Sequence, residues 1–269
     1  MNFVIAIISH ERLNLFESKT LSFLKKHGIC FEQVYVFVSD LSYLSYLPLS
    51  EKYGFNLLNS HNNLLKFNNN SILNARNNII NYFEEGANIL EMDDDIDDII
   101  DFSTDKGVEN FIDLINESFY MIKNGGLFGF SSQANKFFSN GIDQYGLYSI
   151  INSCCGYVND KRIELVVAEK EDYDRCVQFY KLGLDILKRG GYGVKTRYWK
   201  NPGGISSRYS FQKRIVVQRE SALWLKHIYP EYVRLQTRKN GIVDVRFIKQ
   251  KKKPPPITIS PLPLQEIVI

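Results

Sequence analysis

The sequence predicts an α/β protein built on a doubly wound, mostly parallel sheet. Three observations lead there. Short continuous apolar runs recur in the first hundred residues ("FVIAIIS", "VYVFV", "NILEM"), as expected of strands buried on both faces. Segments with apolar residues three or four apart lie between them, which is helical spacing. Gly28, Gly54 and Gly86 each close one of those segments, where a left-handed stop is needed. Strand–helix alternation of this kind builds parallel sheets.

Taken in order, "NFVIAIIS" is the first strand and "ERLNLFESKTLSFLKKHG" the first helix, with Leu13, Phe16, Leu21 and Leu24 inward. "QVYVFVSD" is a second strand, "SYLSYLPLSEKYG" a short helix broken by Pro48, and "FNLLNS" a third strand. "NNSILNARNNIINYFEEG" places Ile72, Ala75, Ile79 and Tyr82 or Phe83 on one helix face, and "ANILEMDDD" is a fourth strand. "GVENFIDLINESFYMIKNG" is a helix, and "GLFGFSS" and "YSIINSCCGYV" are strands of antiparallel or mixed character. "KEDYDRCVQFYKLGLDILKRGG" reads as one helix and "GGYG" from Gly190 to Gly193 as a turn. A helix in "FQKRIVVQRESALWLKHIYP" and a strand "GIVDVRFIKQ" close the domain. The expected organisation is one domain over residues 1–248, with a smaller mixed subregion on its second half, and a basic, proline-rich extended tail over 249–269. The Asn-rich "NSHNNLLKFNNN" fits a loop.

Composition narrows the class. With 44% hydrophobic residues, 16 Tyr and 18 Phe, the 269-residue chain can bury a sizeable core. No apolar run is long enough to span a membrane, so no membrane insertion is expected, and the first strand lacks the basic leader of a signal peptide. Cys30, Cys154, Cys155 and Cys176 form no CxxC pair and read as reduced core thiols of an intracellular, non-secreted protein. The histidines His10, His27, His61 and His227 show no ligand spacing, and no Ser–His–Asp or Cys–His arrangement is present.

Charge is strongly divided. Residues 84–117 hold thirteen acids against Lys106, a balance of −12, whereas residues 186–253 hold eighteen Lys and Arg against three acids, a balance of +15. That division suits an acidic metal site and a surface for polyanions, or two solvated faces that neutralise each other. The acids concentrate in "NILEMDDDIDDII", where Asp93, Asp94, Asp95, Asp97 and Asp98 crowd the end of a buried strand. Ligands of open α/β sheets bind beyond the carboxyl ends of strands. On an extended chain Asp93 and Asp95 share a side and Asp94 faces the other. Two hard oxygen ligands without His or Cys suit Mg²⁺ or Mn²⁺, which would neutralise a pyrophosphate leaving group. Asp97 and Asp98 read as an acidic helix N-terminus.

A fourth strand ending in DxD resembles the GT-A glycosyltransferases. "ISHER", "NARNNIINYFEEGANILEMDDDI" and "EKEDYDRCVQFYKLG" resemble, in order and spacing, the TET/JBP-associated glycosyltransferases that modify hydroxymethylated pyrimidines in DNA. The similarity runs from about Phe3 to Phe247; the Asn-rich insert and the proline-rich tail depart from it. It implies a GT-A-like, Rossmann-type sheet with a donor and metal half over 1–100 and an acceptor half over 101–248. It also implies a nucleotide-sugar donor such as UDP-glucose, a Mn²⁺ or Mg²⁺ ion on Asp93 and Asp95, and inverting transfer to a DNA base. Asp172 is then the general base, with Glu171 its alternative and helix capping a compatible role for both; Asp174 reads as an exposed helix position. Ser9, Arg12, Asp40, Arg76, Asp94 and Lys213 make up the donor-binding set. For Arg76 a structural bridge to the acids is an equal alternative, for Ser9 a helix cap, and for Asp40 a surface position. "KTRYWKNPGGISSR" brings Lys195, Arg197, Tyr198, Trp199, Gly203 and Gly204 to the acceptor, its aromatics suited to stacking on bases and its cations to phosphates. Transfer to a glycan or protein, and a non-enzymatic nucleic-acid-binding module, are the competing functions.

Overall fold

The computed structural model describes residues 3–59, 71–122, 124–197, 210–238, 241–251 and 253–254. The Asn-rich insert and most of the proline-rich tail lie outside the described residues. The first half follows the expected alternation: β1 (Val4–Ser9), α1 (Leu13–Phe16) continuing through a π-helical turn into α2 (Ser22–Lys26), β2 (Val34–Val38), α3 (Asp40–Tyr53), β3 (Asn56–Asn59), α4 (Ser71–Tyr82) and β4 (Asn88–Asp93). β5 (Asp98–Asp101), β6 (Lys106–Gly107), α5 (Phe111–Met121), β7 (Gly126–Ser131), β8 (Gln144–Tyr145), β9 (Cys154–Val158), α6 (Glu171–Lys181) and β10 (Asp185–Lys195) complete the main body. α7 (Phe211–Ile228) and the hairpin of β11 (Val233–Thr237) with β12 (Val243–Phe247) follow.

One ten-stranded sheet runs β3-β2-β1-β4-β9-β7-β10-β5-β6, with β8 added on β10. The pairs from β3 to β4 are parallel, β9 reverses direction between β4 and β7, and β7–β10 is parallel again. This is the GT-A-like architecture expected: a Rossmann-type parallel half, flanking helices, and a mixed second half. Its two faces bury separate cores. Ile5, Ile7, Leu90 and Met92 pack with Phe16, Tyr46 and Phe111 on one side, and Ala6, Phe37 and Ile89 pack with Ile79, Phe83 and Phe179 on the other. Cys154 and Cys155 divide between these cores, as neighbours on a strand must. A third cluster joins Val177 of α6 to α7 and the hairpin through Ala222, Leu225, Val233 and Val245.

Several expectations are corrected. Pro48 does not break α3, which continues to Tyr53 because Ser42, Tyr46 and Leu49 stay buried on one face. In α4, Phe83 is buried just past the helix end, Ile72 is only partly buried and Tyr82 is exposed. The helix read through "LGLDILKRGG" stops at Lys181, where Gly183 takes a left-handed conformation, and β10 begins. Ile186 and Leu187 enter opposite cores, so their apolar run belongs to a two-sided strand. "GGYG" is therefore part of a strand with a register shift. A Cβ on Gly190 would stand 2.0 Å from the Ile142 carbonyl oxygen, so glycine is what lets the chains approach. Asp97 and Asp98 do not start a helix. Asp98 opens β5, antiparallel to β10, and the pair meets Lys19 at 3.0 Å and Lys26 at 3.3 Å. Cys30 is exposed while the other three thiols are buried, and all four are free. Among the described residues, no helix is long and apolar enough to cross a membrane.

Candidate active site

The register of β1 on β4 pairs Ile8 with Asp93, which sets Ser9 beside the residue that follows the strand. Ser9 Oγ donates to Asp94 Oδ2 at 2.7 Å and lies 2.7 Å from the Tyr46 hydroxyl. The chain then turns through Glu11, held at φ +54°, and Arg12 comes back over the aspartates. Arg12 Nη1 donates to Asp94 Oδ1 at 2.9 Å and to Asp95 Oδ2 at 3.3 Å. Thr20 locks the turn from below, its hydroxyl donating to the Asp93 carbonyl and accepting the Ile96 amide, each at 2.9 Å.

β4 ends at Asp93, so the strand alternation expected to separate Asp94 from Asp95 stops there. Asp94 and Asp95 instead share one guanidinium. Asp95 also accepts from Thr196 Oγ1 at 2.9 Å, and the Asp97 amide donates to the Lys195 carbonyl at 2.8 Å. The end of β10 is thus stapled to the acidic turn, with Lys195 and Arg197 exposed on either side of Thr196. Tyr198, Trp199, Gly203 and Gly204 lie outside the described residues.

A second group of charges sits behind Asp93. Arg76, from α4, binds Glu91 through Nη1, approaches Asp93 Oδ1 at 3.3 Å through Nη2, and lies 3.8 Å from Glu171 through Nε. Glu91 is fully buried, and its second oxygen accepts from Arg175 Nη1 and the Tyr157 hydroxyl, both at 3.0 Å. The strand brings this about, because Ile89, Glu91 and Asp93 share one face. Burial would raise the Glu91 carboxyl, but the charges of Arg175 and Arg76 hold it below the usual carboxylate range. Asp93 goes the other way: removal from water pushes it up to about 7, and Asp95 and Asp94 add to the effect against Arg76.

Glu171 and Asp172 open α6, as expected. Asp172 Oδ1 accepts the Tyr173 amide at 2.9 Å, a capping role beside any chemical one. Its carboxyl is pushed up to about 7 by desolvation and by the neighbouring Glu171 charge. Asp174 is not the exposed position predicted; it is fully buried. Its oxygens accept the Val166 and Val167 amides at 2.7 and 3.1 Å, Gln178 Nε2 at 2.8 Å and the Tyr229 hydroxyl at 2.7 Å, pinning α6 to a loop and to α7. Asp40 starts α3, exposed, and accepts from Asn59 Nδ2 rather than meeting the aspartates. Lys213 is exposed in the first turn of α7, its amide donating to the Ser210 cap at 3.3 Å.

Sequence reasoning missed Glu91, Arg175, Tyr46, Thr20 and Thr196. Glu91 carried a signal: it is the lone ionisable residue in an apolar strand, two positions before Asp93. The others are unremarkable in sequence and gain meaning only from their neighbours.

The donor chemistry of the acidic turn, carboxylate oxygens without His or Cys, is the kind that a hard divalent cation takes. Among the described residues no group of three or more His, Cys, Asp or Glu is arranged to hold a metal. A Mg²⁺-type site needs only one or two carboxylates when substrate phosphates and water supply the rest. Asp93 offers a carboxylate only partly met by Arg76 and repelled by its neighbours, whereas Asp95 already accepts from Arg12 and Thr196, contacts an ion would have to loosen.

No family model matches the sequence, and no curated protein matches it. Solved structures do resemble it. A mycobacterial protein superposes with TM-score 0.50 at 9% identity, over 94% of this chain and 87% of that one. TarS of S. aureus, residues 1–349, gives 0.46 at 14% identity over 84% of this chain. Mannosyl-3-phosphoglycerate synthase from Rubrobacter xylanophilus gives 0.44 at 9% over 94% of this chain and 87% of that one. The chain spans 66% of the TarS fragment and 40% of a longer TarS chain. At such identities the likeness is one of fold.

Proposed function

We propose that this chain is a metal-dependent glycosyltransferase that moves a sugar from a nucleotide-sugar, UDP-glucose or similar, to a hydroxymethylated pyrimidine in DNA. The observation that carries the reading is the acidic turn at the carboxyl end of β4, joined through Arg76 to Glu171 at the start of α6, whose neighbour Asp172 has a raised carboxyl. Asp93 and Asp95 would hold Mn²⁺ or Mg²⁺, which supplies Lewis-acid neutralisation of the departing diphosphate. Asp94, itself held by Ser9, fixes the Arg12 guanidinium beside that place, where it would meet phosphate or ribose oxygens. Asp172, with Glu171 beside it, takes the proton from the acceptor hydroxyl as its oxygen attacks the anomeric carbon. The bond from that carbon to the diphosphate oxygen breaks, and the nucleoside diphosphate leaves with the electron pair. Attack opposite the leaving group inverts the anomeric centre.

The DNA acceptor rests on the sequence resemblance and on the +15 half, whose Lys195 and Arg197, beside the acidic turn, are themselves exposed to solvent. Nucleotide-sugar hydrolysis is expected to be stimulated by Mn²⁺ and abolished in Asp95→Ala with the circular dichroism spectrum unchanged. Sugar transfer to hydroxymethylated DNA is expected by mass spectrometry. Absence of transfer across a panel of modified DNAs rejects the acceptor, and metal-independent hydrolysis rejects the metal role.

A further inference from the structure

One guanidinium touches both sides of the site. Arg76 lies 3.3 Å from Asp93 on the donor side and 3.8 Å from Glu171 on the acceptor side, while its third contact, Glu91, is fully buried. Its Nε is buried and makes no hydrogen bond, so its link to Glu171 is ionic only. Glu91 cannot move to suit it, because Arg175 and Tyr157 hold the other oxygen. We infer that Arg76 is a positioning residue through which the occupancy of Asp93 by a cation is coupled to the acceptor-side carboxylate Glu171. The inference rests on the metal reading proposed above.

The physical reason is that a single positive charge is shared. A divalent ion at Asp93 repels Arg76 and leaves it to Glu171. Neutralising Glu171 leaves Arg76 to Asp93, where it competes with the ion. Glu91 confines the guanidinium to the gap, so its attention shifts between partners without the side chain departing. Such coupling is reciprocal: whatever engages Glu171 must alter cation affinity by the factor with which the cation alters that engagement. A purely structural Arg76, present only to neutralise Glu91, makes no such link.

The test is Mn²⁺ affinity of the full chain in the presence of UDP, by calorimetry or electron paramagnetic resonance, with UDP alone as the blank. Glu171→Gln is expected to weaken Mn²⁺ binding about fivefold, at the low end of measured coupling between sites. Arg76→Lys keeps the charge but loses the planar fork that spans three carboxylates. In that background the Glu171→Gln effect is expected to shrink to the residue of direct charge loss, which is common to both backgrounds and cancels in the cycle. Equal effects in both backgrounds overturn the inference. Glu171→Asp tests it without touching Arg76: the charge stays, the reach shortens, and Mn²⁺ binding is expected to weaken at least about twofold on the same coupling. An unchanged affinity in Glu171→Asp also overturns the inference while leaving the metal reading intact. A native chain that binds no Mn²⁺ overturns both.

Discussion

Replacing Glu91 by Gln probes the interior charge cluster directly. The native carboxylate satisfies Arg76, Arg175 and Tyr157 at once, at zero exposure. Glutamine keeps one acceptor and turns an amide donor toward a group that is itself a donor. Two guanidiniums then share a buried space that has lost its central negative charge. Breaking a buried pair by removing one partner costs about 3–5 kcal/mol, against total stabilities of roughly 5–15 kcal/mol. For a chain of this size each kcal/mol moves the midpoint by about 2–4 °C, so a drop of roughly 6–20 °C is expected. Differential scanning calorimetry is the assay. Lys52→Ala, which removes the exposed Lys52–Glu17 pair, is the control and is expected to leave the midpoint where it is. The pH dependence has a definite sign. Glu91 titrates below its unfolded value, so its contribution is complete above about pH 4.3 and is lost as pH falls through the lower folded value. The gap between native and Glu91→Gln stability is therefore expected to narrow in acid. A midpoint within about 2 °C of native at pH 7, well short of the expected drop, would show that Glu91 does not carry the two arginines.

Further outcomes concern Asp172 and Pro48. Transfer by the native chain should fall off below about pH 7, because Asp172, raised by desolvation and by Glu171, is then protonated and cannot accept the hydroxyl proton. Asp172→Asn should lower kcat by about 10²-fold or more with little change in donor KM; retention of over about a tenth of the rate removes Asp172 from the base role. The same raised value means the fold binds an extra proton between about pH 4 and 7, so Asp172 detracts from stability as pH rises through that window. Pro48→Ala should stabilise α3 by about 2–2.6 kcal/mol, the helix-interior penalty of proline of about 3 kcal/mol less the roughly 0.4–1 kcal/mol of entropy it removes from the unfolded chain. A lower denaturation midpoint in urea would mean the ring packs usefully where it stands, exposed on the helix.

Legibility follows how local the governing physics is. The strands up to Asp93 are two-sided apolar runs, and their burial needs no knowledge of their partners. The helix–strand boundary at Gly183 was missed because Ile186 and Leu187, feeding opposite cores, imitate a helical apolar face. β11 was missed because "YVRLQT" alternates only weakly, and its pairing with β12 comes from the third core. Asp174 was misjudged for the reverse reason: a carboxylate in a helix's first turn reads as solvated until four donors from three segments converge on it.

The position of the acidic turn, at the end of a buried strand and after a glycine-terminated helix, follows from the sequence because apolar periodicity and strand polarity are local. What that turn does with its charges is decided only by the packed chain. Arg12, Arg76 and Thr196 lie between about 15 and 100 residues from the aspartates they meet, and Coulomb energy depends on distance in space. Until the sheet places them, no spacing in the chain says which aspartate is neutralised by an arginine and which is left with charge to spare.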